Sequence, residues 1–438
     1  MHEKEIIIGF SKLSKEQKIK KIASFCPNPE DAEKELKSFW HPEMAKQKVF
    51  DEFSENTISN FFFPYGIAPN VIINGKNYMI PMVIEESSVV AAASNSAKFW
   101  STRGGFHTRI ISKTKIGQVH FTWGGEVEKL RNHFSKLKDM FLEGTKEITK
   151  NMQERGGGIL DIELVDMRHE IDDYFQLKAS FDTVDSMGAN FINSCLEEFA
   201  DILKNYVSQE EELKHWPVMV IMSILSNYTP ECLVEAWVEC DIKDLEGVDP
   251  DMSAEDFAWK FEKAVQVATV DTYRATTHNK GIFNGIDAVV LATGNDFRAV
   301  EACGHTYAAR DGKYRSLTFI ELENGKFKYT LRLPLSLGTV GGLTKLHPLA
   351  RFTMELLGDP HAEDLMQIAA VSGLANNFGA LRSLTTKGIQ KGHMKMHLLN
   401  ILNNFAATET EKNAAVEYFK TRKVSFSAVA DFVKDIRD

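Results

Sequence analysis

The sequence predicts an α+β protein with a small unit inserted into a larger one. Two stretches alternate with period two: Asp161-Ile-Glu-Leu-Val165, and Phe175, Leu177, Ala179 and Phe181 interleaved by Gln176, Lys178 and Ser180. Half-buried antiparallel strands have that pattern. A charged helix over about 126–153 precedes them and ends at Arg155-Gly-Gly-Gly158, and an amphipathic helix follows, with Phe191, Ile192, Cys195, Leu196, Phe199, Ile202 and Leu203 at helical spacing. Strands with helices on one side, flanked by longer apolar segments, define the insertion.

Taken in order, Ser14-Lys-Glu-Gln17 fits a capping box and starts a lysine-rich helix that Pro27 and Pro29 terminate. From 61 to 96 the chain is apolar with Pro, Gly and Asn punctuation, and the run after Val89 suits a buried helix. Beyond about 215 come long apolar segments and glycine-broken helices, and the last 50 or so residues form a more polar helical tail.

With 438 residues, 43% apolar and 26% charged, the chain is long enough for two or three domains. A net charge of −10 provides no global field for a polyanion, so nucleic acid is not an expected partner. Five scattered cysteines without a Cys-x-x-Cys pair argue against disulfides and a zinc knuckle and for a reducing compartment. The apolar stretch from 217 to 225 is about half of the ~20 residues that a membrane span needs. The N-terminal apolar core is too short for a secretory signal, so the expected location is cytoplasmic.

Generic catalytic motifs are missing. No Gly-x-Ser-x-Gly elbow is present, and His393-Met-Lys-Met-His397 has the zinc-protease histidine spacing without its glutamate; no metal is expected. Gly338-Thr-Val-Gly-Gly-Leu-Thr-Lys345 lacks the ending of a phosphate loop, and no dinucleotide Gly-x-Gly-x-x-Gly follows a strand. What remains are polar residues in apolar or glycine-rich surroundings. Glu85-Glu86 interrupts an apolar run, so one carboxylate is expected in a poorly hydrated site with a raised pKa, or else both are exposed turn residues. Lys280 stands near Gly281 and Gly285, which permit close approach; Asp296 is a proton-network candidate or a helix N-cap; His393 follows Gly392 near a domain boundary. Asp185-Ser-Met-Gly-Ala-Asn190 opens a helix whose N-terminus suits pyrophosphate, or is an ordinary cap.

Together, Glu55-Asn56, the segment from Pro81 through Glu86 to Asn95, Asp185-Ser-Met-Gly-Ala-Asn190, Thr277-His-Asn-Lys-Gly-Ile-Phe-Asn-Gly-Ile-Asp287, Ala292-Thr-Gly-Asn-Asp296, Gly338 to Pro348 and Lys391-Gly-His-Met394 resemble, in order and spacing, the class II (bacterial-type) 3-hydroxy-3-methylglutaryl-coenzyme A (HMG-CoA) reductases. The resemblance runs from about residue 9 to 430. It implies a large mixed helical/β HMG-CoA-binding and dimerisation domain (1–109 and 221–388), a small antiparallel, ferredoxin-like NAD(P)-binding domain (110–220) and a C-terminal helical flap (389–438).

The implied reaction interconverts HMG-CoA with mevalonate and CoA by two hydride transfers, through a hemithioacetal and mevaldehyde. By resemblance, Glu86 donates a proton to the aldehyde oxygen, Lys280 stabilises the oxyanion, Asp296 hydrogen-bonds Lys280, and His393 protonates the departing thiolate. Arg274 matches a substrate-carboxylate contact; Ser88, Asn284, Glu55 and Lys12 match substrate or coenzyme A positions; Asp185, Met187, Gly188 and Asn190 belong to the cofactor motif. Asp161 aligns with an acidic ribose contact that repels a 2′-phosphate, so NADH is expected over NADPH. The family implies a homodimer or higher homo-oligomer. A non-catalytic acyl-CoA-binding homologue and a thioester hydrolase are the alternatives; the first would have discarded the four catalytic side chains, and the second needs no nicotinamide.

Overall fold

The computed structural model describes residues 6–386, 398–422 and 424–437. Helices α1 (Lys15–Ala23), α2 (Pro29–Ser38) and α3 (Met44–Asp51) lead into the hairpin β1 (Tyr65–Ile73) and β2 (Lys76–Val83). The capping box at α1 is present: Ser14 Oγ accepts from the Gln17 N–H, and the Gln17 side chain accepts from the Ser14 N–H. Asn74 and Gly75 both take positive φ, 48° and 83°, as a tight hairpin turn requires. The apolar run after Val89 forms α4 (Val89–Ser101), with Ala93, Ser96, Ala97 and Trp100 buried.

A small unit follows: β4 (Lys115–Thr122), α5 (Val127–Gly144), α6 (Lys146–Gln153), β5 (Gly158–Asp166), β6 (Tyr174–Asp182), α7 (Ala189–Gln209) and β7 (Met219–Leu225). Its strands form one antiparallel sheet in the order β5-β6-β4-β7, the ferredoxin-like arrangement of a β-α-β-β-α-β chain. Successive Cβ atoms of a strand point to opposite faces, so Phe175, Leu177, Ala179 and Phe181 are all fully buried against α5 and α7. The single helix expected over 126–153 is two. Gly144 and Thr145 are weak helix formers, and the chain breaks where Thr145 Oγ1 turns back to donate to the Phe141 carbonyl at 2.7 Å.

The larger unit has the antiparallel sheet β3-β8-β10-β9, from β3 (His107–Ile110), β8 (Leu233–Asp241), β9 (Thr318–Glu323) and β10 (Lys326–Pro334). Around it lie α8 (Ala254–Val270), α9 (Thr272–Ala292), α10 (Phe297–Ala308), α11 (Gly342–Leu346), α12 (Pro348–Leu357) and α13 (Ala362–Thr385). Contrary to the glycine-broken helices expected here, α9 runs unbroken through Gly281 and Gly285. Its backbone packs tightly on α13: a Cβ on Gly285 would lie 2.2 Å from the Ser372 carbonyl oxygen, whereas Gly281 has only an ordinary contact with Asn377 at 3.6 Å.

Three separate apolar cores result. One unites residues within 68–106 with residues within 232–381, the second lies within 119–213, and the third, within 398–433, holds helices Glu409–Tyr418 and Phe426–Arg437. Among the described residues, no helix is long and apolar enough to cross a membrane. All five cysteines are free.

Candidate active site

Asp271 caps α9, its carboxylate accepting from the Tyr273 and Arg274 N–H groups at 3.2 Å. Four residues apart, Lys280 and Asn284 share one face of that helix. Both reach the turn between β2 and α4. Lys280 Nζ donates to Glu86 Oε2 at 2.5 Å, and Asn284 Nδ2 donates to the same oxygen at 3.3 Å. Of the two readings of the glutamate pair, the exposed turn is the one observed: Glu85, Glu86 and Ser87 project from a surface turn, and the Lys280 and Glu86 side chains are 58% and 44% exposed. Ser88, at φ 80°, turns the chain into α4.

Six residues before Lys280, Arg274 is half-buried, and its guanidinium makes no hydrogen bond or ion pair among the described residues; burial lowers its pKa. Beneath it lies a neutral layer. Burial and the Arg274 charge push His278 down to about 3, and its Nε2 pairs with Thr318 Oγ1 at 2.7 Å. Tyr329 donates to Thr318 and Asn377. No anion in this layer competes for the guanidinium. Two turns past Lys280, burial and the neighbouring Glu301 push Asp287 up to about 8.

Asp296 occupies the helix N-cap position that was its alternative reading. It caps α10, accepting from the Arg298 and Ala299 N–H groups at 3.0 and 3.3 Å, and Arg298 Nε and Nη2 donate to it at 3.0 Å each. Burial pushes its pKa up, but these donors outweigh burial and hold it below the ordinary aspartate value. A carboxylate turned back onto its own first helical turn pairs with Arg298 rather than with Lys280.

The segments around Asp296, Gly338 and Asp185 converge. Asn295 Nδ2 donates to the Gly338 carbonyl at 3.0 Å and its Oδ1 accepts from the Gly338 N–H at 2.8 Å, while the Thr339 N–H donates to the Asp185 carbonyl at 2.8 Å. The Asp185 carboxylate accepts from the Ala362 N–H at 2.8 Å and meets His361 Nδ1 at 2.9 Å, so it is tied to the start of α13. These donors hold its pKa low against the upward pull of burial. Gly188, at φ 89°, precedes α7, and a Cβ there would strike Thr183 at 2.4 Å. Met187 is half-buried beside it, and Asn190 is exposed in the first turn of α7. A helix N-terminus reached through such a turn fits a dinucleotide pyrophosphate.

Other expected residues stand apart from this cluster. Asp161 on β5 is paired with the Lys138 ammonium, which lowers its pKa. Glu55 is exposed in a turn after α3, and Lys12 is exposed in a short 3-10 helix. On α1, Lys15 is engaged by Asp51 at 2.7 Å and lies over the Trp40 ring, so the lysine-rich helix is not wholly available to phosphates. His393 lies outside the described residues. Sequence reasoning missed Asn295, His361 and Lys115. Asn295 stands beside Asp296 in the 292–296 motif, where the neighbouring carboxylate is the stronger signal; His361 and Lys115 carry no local signal.

A family model described as hydroxymethylglutaryl-coenzyme A reductase matches residues 15–398. The 3-hydroxy-3-methylglutaryl-coenzyme A reductase of Archaeoglobus fulgidus is 38% identical over 94% of this chain and 90% of its own length. A probable reductase of the same name from Borreliella burgdorferi is 30% identical over 99% and 98%. In structure, the chain resembles a Streptococcus pneumoniae HMG-CoA reductase with a TM-score of 0.71 and 33% identity, over 98% of this chain and 99% of the other. A class II enzyme from the same organism, bound to NADPH in open conformations, aligns with a TM-score of 0.70 and 34% identity over 86% and 99%.

Proposed function

The chain belongs to the hydroxymethylglutaryl-coenzyme A reductase family, and from that premise we propose that the cluster of Glu86, Lys280 and Asn284 is where its substrate is reduced. The enzyme is an oxidoreductase of the mevalonate pathway that converts HMG-CoA to mevalonate and CoA with a nicotinamide cofactor. When bound, the reduced nicotinamide supplies hydride. The rest is the work of the chain's own side chains.

Hydride attack on a carbonyl leaves negative charge on oxygen, and a donor fixed at that point commonly lowers the barrier by about 3–4 kcal/mol. Lys280 is proposed as that donor, held in place by Glu86. Glu86, hydrogen-bonded to the same ammonium, is proposed to protonate the mevaldehyde oxygen. Arg274, with no anion as a partner among the described residues, is proposed for the substrate's free carboxylate. Ser88 and Asn284 are proposed as substrate contacts, and Glu55 and Lys12, which stand apart from the cluster in the chain as described, are proposed for the substrate and its coenzyme A portion. Asp296 is proposed to tune the proton network through α10, and His393 to protonate the departing thiolate, since imidazole titrates in the range that step needs. The single observation that carries this reading is the Lys280 to Glu86 hydrogen bond at 2.5 Å.

For the cofactor we propose Asp185, Met187, Gly188 and Asn190 at the pyrophosphate and Asp161 at the adenosine ribose, favouring NADH over NADPH. The Lys138 ammonium beside Asp161 moderates that preference. We also propose domain bounds of 1–109 with 221–388, 110–220 and 389–438, which the separate cores support. A homodimer or higher homo-oligomer is proposed as well: Phe61 is 85% exposed, and Phe62, Phe63, Leu346, Leu349 and Phe352 are also exposed, apolar side chains that a partner subunit would cover. A cytoplasmic location accords with the free cysteines.

The test is a spectrophotometric assay in both directions. Purified protein should oxidise reduced nicotinamide only with HMG-CoA present, and should reduce the oxidised cofactor with mevalonate plus CoA. No turnover in either direction would reject the reading.

A further inference from the structure

Lys115 opens β4 and is only 5% exposed. Its Nζ donates to Thr183 Oγ1 at 2.6 Å, to the Ser186 carbonyl at 2.7 Å and to the Met187 carbonyl at 3.3 Å. All three acceptors are neutral, and no carboxylate among the described residues forms an ion pair with it. The neighbouring Asp182 is paired with Lys113 at 3.5 Å, and Lys113 is drawn further to Glu363 at 2.7 Å. An ammonium buried without an anion is costly, and such a charge is retained where something else answers it.

The ammonium also accounts for the shape of the loop. With the Ser186 and Met187 carbonyls drawn inward onto Lys115, the planar peptide groups turn the N–H groups of Met187 and Gly188 the other way. The Gly188 N–H is taken by Ser186 Oγ at 3.0 Å, and α7 then starts with first-turn N–H groups that have no partner within the helix. The lysine charge and the positive end of α7 lie behind one loop and reinforce each other.

We propose that Lys115 is a positioning residue for the nicotinamide cofactor: it holds the 183–188 loop in its anion-accepting shape and supplies the buried positive charge that the cofactor pyrophosphate answers. This rests on residues 185–190 being the cofactor site.

The experiment uses the full chain with Lys115→Met, which keeps length and removes the charge. NADH and NADPH dissociation constants are measured by fluorescence titration, and the thermal midpoint is measured without cofactor. The expected result is that both dissociation constants rise tenfold or more by similar factors, since the pyrophosphate is common to both, while the midpoint changes little, the three lost hydrogen bonds being offset by removal of a buried charge without an anion. A lower midpoint with both affinities within twofold of wild type would make Lys115 a structural prop and overturn the proposal. If the methionine variant does not fold, Lys115→Gln carries the test, because it retains a donor without charge: the same loss of affinity supports the proposal and wild-type affinity overturns it. A wild-type protein that bound neither dinucleotide would overturn the cofactor reading and this proposal with it; wild-type binding with unchanged variant affinity overturns this proposal alone.

Discussion

Lys280 and Glu86, 194 residues apart in the chain, meet through a 2.5 Å hydrogen bond on which Asn284 also converges. Because both side chains are substantially exposed, the pair adds little to stability; exposed ion pairs are typically worth about 0–1 kcal/mol. Its value lies in chemistry. Glu86→Gln keeps the size and a hydrogen bond but cannot donate a carboxyl proton, so kcat should fall by about 10²–10⁴, with a thermal midpoint close to wild type. A variant retaining more than a tenth of wild-type kcat would remove Glu86 from the proton-donor role.

Asp161, the proposed selector of the cofactor, is paired with Lys138. Asp161→Asn should raise kcat/KM for NADPH relative to NADH by about tenfold, roughly 1.4 kcal/mol of differential binding, and Lys138→Ala should shift the ratio the other way. Steady-state kinetics with both cofactors decide this, and ratios unchanged in both variants would reject Asp161 as the selector.

Asp287 gives a pH prediction. Burial and Glu301 push it up to about 8, far above the ordinary value of 3.8. The folded protein therefore holds a proton that the unfolded chain releases, and stability falls as pH rises from about 4 toward 8. Asp287→Asn removes that dependence. The variant should match the wild type near or below pH 4 and exceed it in thermal midpoint increasingly toward pH 8; a wild-type advantage that grew with pH would contradict this.

The close approach of α9 and α13 can be tested at its narrowest point. A methyl at position 285 would lie 2.2 Å from the Ser372 carbonyl oxygen, so the helices must part. Gly285→Ala should destabilise by about 1–3 kcal/mol, read as a lower thermal midpoint. Gly281→Ala, with an ordinary contact at 3.6 Å, should be neutral or slightly stabilising.

Local patterns account for the parts of this fold that were legible beforehand. The Ser14 capping box, the alternation along β6 and the apolar run of α4 all depend on neighbours in sequence. Break points and packing were less visible: α5 and α6 separate at a single threonine, and Gly285 reads as a helix breaker until α13 lies against it. At the site, motif order carried the Glu86 and Lys280 assignments, while the rival N-cap reading of Asp296 describes its observed geometry better. Lys115 was invisible because a lysine at the start of an alternating strand reads as solvent-facing, and only the folded loop shows its ammonium turned inward.

Carbonyl reduction is proposed to depend on the Lys280 ammonium. The most direct measurement follows the reduced-nicotinamide absorbance with HMG-CoA for wild type and Lys280→Ala, both checked for an unchanged thermal midpoint. Robust HMG-CoA-dependent oxidation is expected of the wild type, with kcat lower by about 10²–10³ in the variant. Turnover by Lys280→Ala at the wild-type rate would contradict that dependence.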